Sequence, residues 1–122
     1  MRIAVLTGGG DCPGLNAVIR AVVRRGERHY GDEVLGARDG WRGLMENDIM
    51  PLSVEALRGT LPRGGTVLGT SRANPFASED GVARVKATVE GLGLDAVIAI
   101  GGEGTLSCTY EMHRNGLPVV GV

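Results

Sequence analysis

Two stretches of this sequence put glycine where a strand would give way to a helix. Gly8, Gly9 and Gly10 follow the run at residues 2–6, and Gly101, Gly102 and Gly104 follow the apolar run at residues 95–100. Glycine in such a turn admits positive φ and lets backbone N–H groups approach a bound anion, while the helix start adds roughly half a positive charge. Phosphate is the anion that this chemistry suits. Any α/β protein needs tight turns, however, so each turn alone fits a structural role as well as a binding one. Neither matches the GxxxxGK[ST] pattern of a P-loop.

The second turn carries more chemistry. Glu103 sets a carboxylate among glycines, where Mg2+ bridging two phosphates would take an oxygen ligand; a carboxylate favoured by the helix dipole is the other reading, and spacing does not separate them. Thr105 could cap the helix or donate to a phosphate oxygen. Arg72, after Gly69, Thr70 and Ser71, offers a planar fork suited to phosphate and to charge developing on a transferring phosphoryl group. Asp11 is better read as a helix-start cap. Cys12 lacks a neighbouring base, and His29 and His113 stand alone, so none of the three is assigned a role.

These residues need elements to position them. Residues 2–6 read as a strand; from Pro13 the positions Leu15, Val18, Ile19, Val22 and Val23 recur at helical spacing to about Tyr30, with Arg20, Arg24 and Arg25 on the polar side. Residues 33–37 read as a second strand, and Asp39 to Gly43 as a loop beyond it. Residues 45–61 give no clear pattern. A glycine loop at 64–69 precedes a helix over 79–92 with Val82, Val85, Val89 and Leu92 on one face; a strand at 95–100, a weaker helix to about Asn115 and a strand from Pro118 follow. Such alternation predicts a three-layer αβα, Rossmann-like, mostly parallel sheet, with ligands past the carboxyl ends of its strands. The three glycine turns are expected to converge there.

Composition narrows the function. A chain of 122 residues suits one domain, read as spanning 1–122. Its formal net charge of −1, with one Trp, two Tyr and one Phe, argues against nucleic-acid binding. The two cysteines form no CxxC pair, so reduced thiols are expected. No run of about 18 apolar residues occurs, and residues 2–6 are too few for a signal-peptide core. A cytoplasmic protein without membrane contact is expected.

Read together, the motifs resemble those of the phosphofructokinase family. Residues 6–16, LTGGGDCPGLN, resemble its first signature; 39–44, DGWRGL, its DGxxGL stretch; 64–72, GGTVLGTSR, its GGTxLGTSR loop; and 101–105, GGEGT, its GGDGS or GGDGT loop. The resemblance covers the whole chain. It implies ATP-dependent phosphorylation of fructose 6-phosphate in glycolysis, with Gly10, Arg72, Ala73, Gly102, Glu103, Gly104 and Thr105 lining the donor site and Glu103 binding Mg2+. Glutamate there is similar to a variant in actinobacterial members. Gly104 favours ATP, because members using pyrophosphate often carry Asp at that position. Trp41 matches an aromatic position near the nucleotide, and Arg20 and Arg24 match effector contacts between subunits.

The family's next motif, resembling PKTIDND, carries the base for the sugar hydroxyl and would lie beyond Val122. The chain is therefore read as a truncated, donor-binding portion of a homo-oligomeric parent, a homotetramer by resemblance, with little turnover of its own. The alternatives are a pyrophosphate-dependent enzyme, a kinase of the NAD-kinase or diacylglycerol-kinase type, and a non-catalytic nucleotide-binding module. The motifs at 11–16 and 64–72 count against the NAD-kinase type.

Overall fold

A computed structural model of the chain describes residues 1–8, 15–26, 31–53, 68–69 and 74–122. Its elements are β1 (Arg2–Thr7), α1 (Leu15–Arg25), β2 (Glu33–Ala37), α2 (Trp41–Glu46), β3 (Ile49–Leu52), α3 (Gly81–Leu92), β4 (Ala96–Ile100), α4 (Glu103–Arg114) and β5 (Val119–Gly121), with a 3-10 turn at Pro75–Ala77 before α3. The strands form one sheet in the order β3-β2-β1-β4-β5. β1 pairs parallel with β2 and β4, β4 pairs parallel with β5, and β3 alone runs antiparallel, against β2. The three-layer, mostly parallel sheet expected from the alternation of elements is what forms.

β1 lies at the centre and is covered on both sides, which is why it reads as an almost unbroken aliphatic run. Ala4 and Leu6 join a core with α2, α3 and α4, whereas Val5 joins Ile19 and Val23 of α1 on the other face. Ile19 and Val23 lie one helical turn apart and are fully buried. On α3 the expected stripe is present: Val85 and Val89 are buried, with Val82 and Leu92 packed at the margin. The buried Thr88 hydroxyl donates to Leu44 O at 2.5 Å, tying α3 to α2.

Two expectations change. The loop foreseen over Asp39 to Gly43 is helix from Trp41 onward, and the unassigned stretch after it becomes the end of α2 and the strand β3; residues 54–61 lie outside the described residues. Gly43 explains the first change. A Cβ there would lie 2.5 Å from Arg38 N and 2.9 Å from Ala37 C, so this glycine serves close backbone approach inside a helix. β3 carries Pro51 opposite Leu35, a position that an edge strand tolerates.

Gly43 and Gly91, both inside helices, should therefore respond oppositely to alanine. Gly43→Ala is expected to destabilise by at least about 2 kcal/mol, since backbone has to move. Gly91→Ala, at an exposed position of α3 with nothing among the described residues within 4 Å of its Cβ position, should stabilise by about 0.5–1 kcal/mol. Urea unfolding of both variants measures this.

Candidate functional site

Thr7 and Ile100 end β1 and β4 side by side in register. One residue further on, Gly8 N–H donates to Ile100 O at 2.9 Å, so the first and third glycine turns start in contact. The fit between them leaves no room for side chains. A Cβ on Gly101 would lie 2.6 Å from Gly8 O and 2.7 Å from Thr105 Oγ1, and one on Gly8 would overlap Thr105 Oγ1 and stand 3.3 Å from its Cγ2.

Thr105 is thus a wedge beneath both turns, 6% exposed. This corrects its reading as a cap: the N-cap is Gly102, in extended backbone, with no side-chain cap bond. The first helical bond of α4 runs from Leu106 N to Gly102 O at 3.0 Å. The N–H groups of Glu103, Gly104 and Thr105 precede that ladder, and a helix start leaves such donors without an acceptor inside the helix. Glu103 is exposed at the first position, and among the described residues nothing lies within 4 Å of where a Cβ on Gly102 or Gly104 would stand. Such an opening accepts an anion, favoured by the helix dipole.

The remaining turn, ending at Gly69, comes alongside through the end of β1. Thr7, wholly buried, donates from Oγ1 to Gly69 O at 2.8 Å, and Asp39 N–H donates to Leu68 O at 2.9 Å. Asp39 has φ 54°, an uncommon value for a residue other than glycine. Arg42 holds its carboxylate at 2.7 Å, and is itself held by Asp48 at 2.8 Å and by Glu46. Asp48, then Glu46 and Asp39, raise the guanidinium pKa, so Arg42 stays charged. Sequence reasoning passed over Thr7, Asp39 and Arg42 as site-building groups; a hydroxyl ending an aliphatic strand was the available signal.

The convergence of the glycine turns is therefore present for Gly8, Gly69 and Gly101. Gly10, Asp11, Cys12, Arg72, Ala73 and His29 lie outside the described residues. Trp41, expected beside the nucleotide, is buried in the core with α3, 4% exposed, and among the described residues its Nε1 has no hydrogen-bond partner. A ring so enclosed packs; it does not offer a face for stacking. Arg20 is half-buried and Arg24 exposed, further along α1 from its start. His113 is exposed in the last turn of α4, as expected of a surface position.

Among the described residues no three His, Cys, Asp or Glu side chains group to enclose a metal. Glu103 alone suits Mg2+, which takes one or two carboxylates and completes its shell with waters and substrate phosphates. Among the same residues, no helix is long and apolar enough to cross a membrane. Cys108 lies in the α4 core, where burial pushes its thiol up to about 11 from an ordinary 9.0.

Comparison with known proteins bears on this edge of the sheet. The profile describing the phosphofructokinase family, "Phosphofructokinase", matches residues 2–122. The chain is 60% identical over 122 residues to ATP-dependent 6-phosphofructokinase 3 of Streptomyces coelicolor, covering all of this chain and 36% of that protein. It is 57% identical over 123 residues to the pyrophosphate--fructose 6-phosphate 1-phosphotransferase of the same organism, with the same coverage. The structure of phosphofructokinase from Saccharomyces cerevisiae superposes with a TM-score of 0.83 at 33% identity, over 99% of this chain and 19% of that one. The chain thus spans about a third of the length of these curated relatives.

Gly8→Ala should cost about 1–3 kcal/mol of stability by colliding with Thr105. Combined with Thr105→Ala it should cost markedly less than the sum, with a coupling of at least about 1 kcal/mol in a denaturant double-mutant cycle. Separately, the folded chain keeps the Cys108 proton after the unfolded chain has lost it. Stability should therefore fall as pH rises from about 9 towards about 11. The urea midpoint of Cys108→Ala should fall less over that window.

Proposed function

The chain belongs to the phosphofructokinase family, and on that premise we propose that it forms the phosphoryl-donor side of an enzyme that transfers the terminal phosphoryl group of ATP to fructose 6-phosphate. The observation that carries this reading is the pair of glycine turns joined at one edge of the sheet, with Glu103 at an open helix start. The first N–H groups of α4 would hold donor phosphate oxygens, with Gly10 and Ala73 allowing close approach. Arg72 would steady charge that develops on the transferring group. Glu103 would hold Mg2+, whose chemistry there would be to offset negative charge on the donor phosphates. Trp41 enters this reading as packing, because it is buried.

ATP is favoured over pyrophosphate by Gly104, whose Cβ position is open and where a larger acidic residue would crowd a nucleotide. The pyrophosphate reading has its own support in the 57% identical relative named for that donor. The whole enzyme is proposed to be a cytoplasmic homo-oligomer of glycolysis, with Arg20 and Arg24 of α1 as contacts for an allosteric effector.

Calorimetric titration with ATP and with pyrophosphate, each with Mg2+, tests the proposal. MgATP is expected to bind more tightly, and Glu103→Ala and Arg72→Ala should each weaken it roughly tenfold or more, as expected for lost charge-assisted contacts. Tighter pyrophosphate binding would reverse the donor assignment, and a folded chain binding neither would overturn the donor-site reading.

A further inference from the structure

On the face of the sheet that carries α1, burial fades strand by strand. Val5, Ile98 and Val120 lie opposite one another in register on β1, β4 and β5. Val5 is wholly buried, Ile98 half-buried and Val120 58% exposed. The same strands behave differently on the other face, where Ala4, Val97 and Val119, also in register, are all buried in the core shared with α2, α3 and α4. Helix placement is the cause. α1 packs over Val34, Leu52 and Val5, and the one fully buried β4 residue in its core is Ile100, at the carboxyl end of that strand. Beside it runs a trough of about 580 Å3, lined by Ile3, Ala21, Val22 and Ile98 and polar where it meets Arg25 and Asp32.

We propose that this strip over β4 and β5 is the docking surface for one further amphipathic helix, supplied by the part of a phosphofructokinase polypeptide that this chain does not match. The chain spans 36% of its 60% identical relative, so the greater part of such an enzyme is available to cover the strip. Its width suits a helix: two strands about 4.8 Å apart span about 10 Å, one helix diameter, which sets the occupant at ordinary packing distance from α1. Parallel strands are covered by helices on both faces, and the β4-α4-β5 crossover has put its own helix on the opposite one. The occupant is expected to turn an aliphatic stripe to Ile98 and Val120 and polar residues to the end of the trough at Arg25 and Asp32. A second copy of this chain is a poorer match. Its α1 would present the outer side that bears the exposed Arg24, because Ile19 and Val23 are already spent in its own core.

The test reads the exposure of position 120 with a thiol reagent, followed by peptide mass mapping. In the folded chain Val120→Cys should react within about threefold of its rate in the urea-unfolded chain. Joined to the remaining portion of the Streptomyces coelicolor relative, and once a cooperative urea transition shows that the hybrid has folded, the same variant should react at least roughly fiftyfold more slowly. A cysteine at the aligned position of that relative itself should be protected to the same degree, so the result does not hang on the hybrid folding. A photo-reactive group attached at position 120 should then mark residues three or four apart in the added portion, the spacing of one helix face. Equal reactivity in the chain and the relative overturns the proposal, as does marking of every second residue, which would make the occupant a strand. Protection of the chain alone that grows with its concentration assigns the strip to a second copy and overturns it as well.

Discussion

The architecture turns on one contact, the closure of Gly8 against Gly101 over the Thr105 side chain. β1 and β4 are neighbours through five paired residues each, all aliphatic but Thr7, and at their carboxyl ends the chains leave in different directions, one towards α1 and one into α4. They can do so at this spacing only because neither turn carries a side chain. The Gly8 to Ile100 hydrogen bond then extends the parallel pairing one residue past β1, and the start of α4 inherits its position from that bond. Steric exclusion here decides where an anion could sit, well before any charge does.

Much of this was legible in the chain. β1 and β4 announced themselves as aliphatic runs because both their faces are covered, and α1 and α3 through the spacing of Ile19 with Val23 and of Val85 with Val89. The convergence of the turns followed from the rule that parallel strands deliver their loops to one edge. α2 was hidden because it has six residues and contains Gly43, which looks like a loop residue when its neighbours in space are unknown. Its glycine answers to Arg38, and only the folded chain reveals that approach.

Site chemistry was readable where it depends on residue type and obscure where it depends on partners. Glu103 among glycines was recognisable as an acid at a helix start. Thr105 was ambiguous because capping a helix and donating to a phosphate oxygen call for the same hydroxyl, and its burial beneath both turns was not legible in sequence. Thr7 was silent because a threonine in a strand is ordinary; its meaning lies in a carbonyl 62 positions away. Trp41 shows the converse, an aromatic residue that sequence places near a ligand and packing draws into the core.

The sheet also has unequal borders. β3 runs antiparallel at one margin and carries the exposed Pro51, which has no N–H to offer a further strand. Among the described strands β5 lies at the other margin, paired in parallel with β4, and bears no proline among its three residues. Pairing errors between partly folded molecules are templated by free backbone donors. Among the described strands, the β3 side is therefore a poor template for stacking one chain on another, because its proline interrupts the row of donors that a further strand would need.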